Sequence, residues 1–213
     1  MDNLDSIIES IRAQFETKNA ARDATLARSR ELIRLCSLSI RATHREEFDD
    51  AENLLDQARR AADQMQAAIV DHPDLYHTGY TQDALKELVE AMAVYAMVRG
   101  RRLPTPAEVG VPEAAYLNGL AEAASELRRH ALDVIRQDRN DEAERLLGAM
   151  DDIYGELVTM DFPDAITGGL RRTTDQLRGV LERTRGDLTA TLQQEKLKKA
   201  LQEFESRMTK NEG

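Results

Sequence analysis

Apolar residues recur at intervals of three and four along most of the chain, the spacing that places them on one face of an α-helix. One such stripe begins near the N-terminus and resumes at Leu26, so the pattern predicts a first helix that extends to about Ala42. From Phe48 to Ile69 the threes and fours alternate, which indicates a narrow seam packed against a neighbouring helix. The sequence Asp-His-Pro at 71–73 ends this second helix. The first stripe consists of Leu4, Ile7, Ile8, Ile11, Phe15, Leu26, Ile33 and Ile40.

Four further helices are predicted after a loop at residues 72–80. Thr81 can cap the third helix, whose apolar positions run from Leu85 to Tyr95. Residues 105–108 read Thr-Pro-Ala-Glu, the spacing of a capping box with proline at the first helical position, which predicts a short helical turn. The fourth helix covers 117–131 and the fifth 146–157. The sixth begins near Ala165 and is followed by a charged helical tail over 190–213 that we expect to fray.

The fold class follows from what the pattern lacks. No segment alternates with period two for long enough to predict a strand, and no linker divides two compositions. We therefore expect residues 1–213 to form one all-α domain, a bundle of six or seven helices. The chain has no run of about 18 apolar residues and an acidic start, so neither a membrane span nor a signal sequence is predicted. Cys36 is the single cysteine, and these features together favour the cytoplasm.

The formal net charge of −10 argues against the usual basic nucleic-acid-binding protein. Phosphate binding depends on the local field, however, and arginines gathered on one face could provide it. Spacings of four, seven and four place four arginines on one ridge of the first helix, where the alternative is an ordinary solvated face with weak salt bridges. The candidate arginines are Arg30, Arg34, Arg41 and Arg45 on the first helix, with Arg171 and Arg172 on the sixth.

Two acidic pairs stand out on the middle helices. Glu87 and Glu90 lie three apart on the third helix, and Glu122 and Glu126 lie four apart on the fourth, so each pair shares a helix face. Gly119 and the nearby Ala123 are small and could let the two helices approach closely. Carboxylates held together repel each other unless a cation lies between them, and hard oxygen ligands suit Mg²⁺ or Mn²⁺. The alternative is that these pairs are solvated surface, the usual state of charged side chains.

The histidines, the cysteine, the methionines and one glycine pair give little indication of a catalytic or ligand-binding site. The histidines show no paired zinc spacing, so we interpret them as surface or capping residues: His44, His72, His77 and His130. Cys36 lies in an apolar stretch and is predicted to be core. Four methionines are interpreted as core filler: Met92, Met97, Met150 and Met160. The pair Gly168-Gly169 lacks a phosphate-loop pattern and indicates close helix packing or a bend.

Three segments resemble the translin/Trax family. Residues 116–127, Tyr-Leu-Asn-Gly-Leu-Ala-Glu-Ala-Ala-Ser-Glu-Leu, are similar to the family motif in which Tyr-Leu-x-Gly precedes a Gly- or Ser-Glu-Leu element. Residues 85–91, Leu-Lys-Glu-Leu-Val-Glu-Ala, resemble the Trax segment with two glutamates three apart. The stretch from Leu-Arg-Arg at 170–172 to Arg-Gly-Asp-Leu at 185–188 resembles the family's closing helix. The similarity spans roughly residues 20–190.

The resemblance implies a function and a site. Trax carries two glutamates on one helix and an aspartate on the next, which serve a metal-dependent ribonuclease activity, whereas translin binds nucleic acid and lacks them. Glu87 and Glu90 match the Trax glutamates, and Glu122 stands at the aspartate position with one more methylene. Glu126 matches a glutamate shared by both branches, which suggests a supporting role. The resemblance also implies a closed, hollow homo-oligomer, an octamer, that encloses short RNA, single-stranded or duplex.

These features lead to one expectation and two alternatives. We expect a Trax-like endoribonuclease in which Mg²⁺ or Mn²⁺ is bound by Glu87, Glu90 and Glu122. The first alternative is a non-catalytic, translin-like protein that binds single-stranded nucleic acid. The second is a helical scaffold with no affinity for nucleic acid, since a fold alone does not define a function.

Overall fold

The computed structural model describes residues 3–211 and contains only helices within that range, so the all-α prediction is confirmed. Six helices are long and three have four residues each. None of the helices between residues 3 and 211 is both long enough and apolar enough to span a bilayer. The helices are α1 (Leu4–His44), α2 (Phe48–Ala67), α3 (Pro73–Tyr76), α4 (Gly79–Val98), α5 (Pro106–Val109), α6 (Glu113–Ile135), α7 (Asn140–Leu157), α8 (Asp164–Thr167) and α9 (Leu170–Asn211).

Helix α4 is the centre of the bundle. Every residue from Ala91 to Val98 is buried, as expected for a helix that is apolar on all sides. One side of α4 packs on α1 and α2, and α6 covers it elsewhere while also packing on α7 and α9. The core therefore has two parts that meet along α4 and α6. These two helices carry the candidate carboxylates.

The predicted seam on α2 is confirmed, although the helix ends at Ala67 and Ile69 is buried in the turn that follows. Its small residues pack against α1, where the Ser39 hydroxyl donates a hydrogen bond to the carbonyl of Ala51 at 3.0 Å. The seam and the long first helix together also predict more apolar surface than one bundle needs, and hence a homo-oligomer. The seam itself leaves none for a partner subunit, because it is buried inside the chain. Its buried members are Ala51, Leu55, Ala58, Ala62 and Met65.

Short helices occupy the segments predicted as loops. The predicted loop at 72–80 contains α3, and α4 begins two residues before Thr81, with Thr78 at its N-cap. Thr81 is not the cap, because it lies in the first turn of α4, where its buried hydroxyl donates to the carbonyl of Leu75 at 2.9 Å. The capping box at 105–108 is confirmed: the hydroxyl oxygen of Thr105 accepts a hydrogen bond from the Glu108 amide, and the Glu108 carboxylate accepts one from the Thr105 amide.

The segment predicted as the start of the sixth helix divides into α8 and α9. Gly168 and Gly169 separate them with φ angles of +63° and +83°, in the left-handed region that glycine enters without steric cost. The bend that this pair predicted is therefore confirmed. Residues 190–211 continue α9 as helix, while 212 and 213 of the predicted tail lie outside the described residues.

Two apolar stripes remain exposed at the ends of the long helices. The N-terminal stripe lies on the first four turns of α1, and its side chains are 41–68% exposed. The C-terminal stripe lies near the end of α9, with side chains 49–62% exposed at spacings of four, three and four. Contiguous exposed apolar surface of this kind marks an interaction site. The N-terminal stripe is Leu4, Ile7, Ile8, Ile11 and Phe15, and the C-terminal stripe is Leu197, Leu201, Phe204 and Met208.

Candidate metal centre

Three of the predicted carboxylates converge. One oxygen each from Glu87, Glu90 and Glu122 lies within 4.8 Å of the others, and all three side chains are half-buried. The three residues come from two neighbouring helices, α4 and α6. Octahedral ligands about 2.1 Å from one ion lie at most about 4.2 Å apart, so small side-chain rotations would bring all three onto a single divalent cation. The donor set, three carboxylates and no sulfur or nitrogen, fits Mg²⁺ or Mn²⁺.

Gly119 makes this convergence possible. A Cβ atom at this position would lie 2.5 Å from the backbone oxygen of Lys86 and 2.7 Å from Cβ of Val89. Both distances are far below van der Waals contact, so α6 approaches α4 as closely as it does only because residue 119 has no side chain. Ala123, one turn later, is fully buried. The close approach that these small residues predicted is confirmed.

The carboxylates in the cluster repel one another. Burial, together with the negative charges of Glu87, Glu122 and Glu126, raises the pKa of Glu90 to about 8. Burial also raises the pKa of Glu87, with Glu122 contributing further. A divalent cation among these groups would relieve both causes, because it replaces water as the partner of the carboxylates and opposes their charge.

Lys86 is a member of the site that the sequence did not reveal. Its ammonium group donates a hydrogen bond to Oε1 of Glu122 at 2.8 Å, and its side chain is 22% exposed. A lysine between acidic residues on a helix looks like part of a solvated face. Only the packing of α4 on α6 places it beside the cluster.

The fourth carboxylate is held by a buried histidine. Nε2 of His44, at the end of α1, lies 2.8 Å from Oε1 of Glu126. The ring of His130 stacks on that of His44 with centroids 5.8 Å apart, and burial, followed by the proximity of His44, lowers the pKa of His130. The interpretation of these two histidines as surface or capping residues is therefore wrong. Glu126 is near enough to Glu90 to affect its pKa, which agrees with a supporting position.

The predicted core positions of Cys36 and of three methionines are confirmed, and that of Met160 is wrong. Cys36 is buried core as predicted, and burial raises the pKa of its thiol, with the nearby Glu87 and Glu90 contributing. Three of the four methionines are buried as predicted, but Met160 is 38% exposed and is not core filler.

Arg30, Arg34 and Arg41 lie on the exposed side of α1, whereas Arg45 is exposed at the C-cap and is not part of the helix as predicted. Arg34 is bound by Glu31, at 2.7 and 3.0 Å, and Arg45 by Glu47. Arg30 and Arg41 have no ion-pair partner among residues 3–208, whose side chains the structure describes. The ridge is therefore partly neutralised within one chain.

Arg171 and Arg172 are adjacent in the chain but line different grooves. Arg172 lines a groove that Glu122 and Lys86 also line, so it lies beside the carboxylate cluster. Arg171 instead lines a separate groove with Phe162 and Asp175. Only the second member of the predicted pair shares a surface with the candidate metal centre.

The chain is similar in sequence and in structure to known proteins. An uncharacterized protein of Methanocaldococcus jannaschii, MJ0175, is 30% identical over 204 residues, which cover 94% of this chain and 88% of that protein. The structure of AfC3PO in complex with duplex RNA matches with a TM-score of 0.80 at 34% identity, over 86% of this chain and 95% of the other. No protein-family model matches the chain. AfC3PO is a translin/Trax-family protein.

The chain belongs to the translin/Trax family. The apo-NeC3PO structure, with a TM-score of 0.79 at 19% identity over 86% of this chain and 96% of that one, agrees in fold. The family resemblance predicted from the segments on α4, α6 and α9 is thus confirmed. Within this translin/Trax fold, α4 and α6 present the acidic cluster.

Proposed function

We propose that this protein is a metal-dependent endoribonuclease of Trax type that cleaves short RNA, single-stranded or duplex, inside a closed homo-oligomer. The observation that carries the proposal is the convergence of Glu87, Glu90 and Glu122 oxygens within 4.8 Å. The similarity to AfC3PO, whose structure contains duplex RNA, supports RNA as the substrate class. Glu87, Glu90 and Glu122 would hold Mg²⁺ or Mn²⁺.

The chain's own residues have distinct tasks in this proposal. When bound, the ion supplies a Lewis acid for the phosphodiester and lowers the pKa of water. Glu126, whose Oε1 lies 2.8 Å from Nε2 of His44, would support the cluster from its edge. The arginines Arg30, Arg34, Arg41, Arg45, Arg171 and Arg172 would bind backbone phosphates, since a guanidinium can donate two hydrogen bonds to one phosphate.

A closed oligomer would reconcile the acidic net charge of the chain with RNA binding. The two exposed stripes, at opposite ends of the chain, provide apolar surface for contacts between subunits. A closed assembly with arginines facing inward would keep the net charge of −10 per chain outside and a positive field inside. For the octamer implied by the family, light scattering should give eight times the chain mass of 24.0 kDa. A mass of 24.0 kDa would contradict the assembly.

A second candidate is a non-catalytic, translin-like protein that binds nucleic acid. One observation favours it: Lys86 already binds Glu122, and His44 already binds Glu126. Two of the four carboxylates are thus partly compensated without a metal.

The deciding experiment is Glu122→Gln, assayed on labelled short RNA with Mg²⁺, Mn²⁺ or EDTA. Cleavage should fall by about 100-fold or more, since losing several kcal/mol of transition-state stabilisation costs tenfold in rate per 1.4 kcal/mol. RNA affinity should be retained, because a carboxylate repels phosphate. The matched control is Glu113→Gln, an exposed position on the same helix, which should change neither. Wild-type cleavage by Glu122→Gln would refute the catalytic assignment. Wild-type protein that binds RNA but never cleaves it would establish the second candidate.

A further inference from the structure

A groove of about 390 Å³ lies beside the carboxylate cluster, between α4, α6 and the α8–α9 turn. Lys86 lines it from α4, Glu122 from α6 and Arg172 from α9. Its volume falls in the range of about 300–1,000 Å³ that is usual for small-molecule sites. Glu122 belongs both to this groove and to the cluster.

The wall of the groove is fixed by a buried side chain. The Asn118 amide group donates to the carbonyl of Thr167 at 2.7 Å, and its oxygen accepts from the Thr173 hydroxyl at 2.8 Å. These bonds hold the α8–α9 turn, with its two left-handed glycines, against α6. The groove is therefore preformed, because the Asn118 bonds fix the chain on both sides of the glycine pair. Arg172 projects from the first turn of α9.

The groove contains cations that could bind an anion. The Lys86 ammonium lines the groove and donates a hydrogen bond to Oε1 of Glu122 at 2.8 Å. Arg172 is exposed and has no ion-pair partner among the described side chains of residues 3–208. Asp83 and Glu122 are the acids that line the same groove. If Glu122 turned toward a metal ion, Lys86 and Arg172 would outweigh Asp83.

On the basis of the proposed function, we propose that this groove binds a backbone phosphate of the RNA through Lys86 and Arg172, and that Lys86 exchanges Glu122 for this phosphate when a divalent cation takes the carboxylate. Lys86 lies 2.8 Å from Glu122, whose carboxylate is itself within 4.8 Å of the other two ligands. The ammonium and a cation in the cluster would therefore repel each other across a few ångströms. A phosphate in the groove gives the ammonium a new partner.

Two consequences distinguish this arrangement from a structural salt bridge. Without RNA, Lys86 competes with the metal for Glu122, so removing its charge should tighten metal binding. In the absence of metal, removing the charge of Lys86 leaves the Glu122 carboxylate unpaired in the groove, and removing that of Arg172 takes away the other cation, so either change should weaken RNA binding. A residue needed only for folding would weaken both.

The test uses Lys86→Met in two binding measurements that need no cleavage: Mn²⁺ titration without RNA, and binding of labelled short RNA in EDTA over a range of salt concentrations. We expect Mn²⁺ to bind at least about threefold tighter, since a like charge a few ångströms away is removed. RNA should bind about three- to tenfold more weakly, with the salt slope reduced by about one unit. The matched control is Lys199→Met, which breaks a Lys–Glu ion pair of 2.6 Å on the exposed end of α9 and should change neither affinity.

Arg172→Gln provides a second variant at an exposed position, where misfolding is not a concern. It should weaken RNA binding and reduce the salt slope in the same way, while Mn²⁺ affinity stays unchanged because Arg172 makes no contact with Glu122. Unchanged RNA affinity in both variants, or weaker Mn²⁺ binding by Lys86→Met, would overturn the exchange. If the wild-type protein itself binds no RNA, the proposed function fails first, and the two failures are thus distinguishable.

Discussion

Replacing Glu90 by glutamine should stabilise the metal-free protein at alkaline pH. The fold raises the pKa of Glu90 from its ordinary 4.5 to about 8, so the folded state holds a proton that the unfolded chain releases between these values. The stability that this proton contributes is complete below pH 4.5 and is lost as the pH rises through about 8. Above pH 8 the folded protein carries a buried carboxylate next to three others. A glutamine side chain at this position never acquires that charge.

The magnitude follows from the size of the shift. Each pKa unit corresponds to about 1.4 kcal/mol, so the charged Glu90 costs the metal-free fold up to about 5 kcal/mol above pH 8. For a chain of this length 1 kcal/mol moves Tm by about 2–4 °C. Even half of the full cost would therefore raise the Tm of Glu90→Gln by about 5–10 °C over the wild type at pH 9. At pH 5 the difference should be small, because Glu90 is then largely protonated in the folded protein.

The assay is thermal unfolding in EDTA from pH 5 to pH 9, repeated with Mn²⁺. Mn²⁺ should raise the Tm of the wild type at pH 9 and have little effect on Glu90→Gln, which has lost a ligand. Glu113→Gln, exposed on α6, serves as the control and should follow the wild type throughout. A wild-type Tm that does not fall relative to Glu90→Gln between pH 5 and 9 would refute the electrostatic account of the cluster.

Three further predictions test the packing around the site. Gly119→Ala should destabilise the fold by about 1–3 kcal/mol through overpacking against Val89, whereas Gly148→Ala, with nothing within 4 Å of the new Cβ, should stabilise it by up to about 1 kcal/mol in denaturant unfolding; equal effects would argue against the close approach. His44→Phe should cost about 1–3 kcal/mol in the same measurement, because Glu126 loses its buried partner, and an unchanged midpoint would show that this bond contributes nothing. Phe15→Glu, in the N-terminal stripe, should lower the mass found by light scattering, and an unchanged mass would remove this stripe from the interface.

The fold could be predicted from its apolar periodicity. The spacing of Glu87 and Glu90 predicted a shared helix face, and the small Gly119 could allow a close approach, but the choice of Glu122 as the third ligand followed from the resemblance to Trax. Of the short helices, α5 was predicted from its capping box, whereas α3 and α8 were not, since four-residue elements contain too little of a period to be seen. Thr78 and Thr81 are both plausible caps, and both hydroxyls donate to the carbonyl of Leu75, so only the start of the helix at Gly79 decides between them.

The rest of the site depends on contacts between residues far apart in the chain. His44 ends a helix and meets Glu126 across 82 positions, a contact that no local pattern encodes. Lys86 has the appearance of a surface lysine until α6 is packed against α4. The α2 seam was recognised correctly as a packing surface, but its partner could not be assigned, because a heptad-like pattern does not say whether the neighbouring helix belongs to the same chain.

The Asn118 bonds also set the order in which the groove can form during synthesis. They join residues 49 and 55 positions apart, and the more distant partner, Thr173, lies at the start of the last helix. The carboxylate cluster closes a shorter loop between α4 and α6, and shorter loops close at a lower entropic cost. A nascent chain released before residue 170 would contain all the acidic ligands but neither the pinned turn nor Arg172. We therefore expect prematurely terminated chains to lack the phosphate groove although they contain all the acidic residues of the cluster.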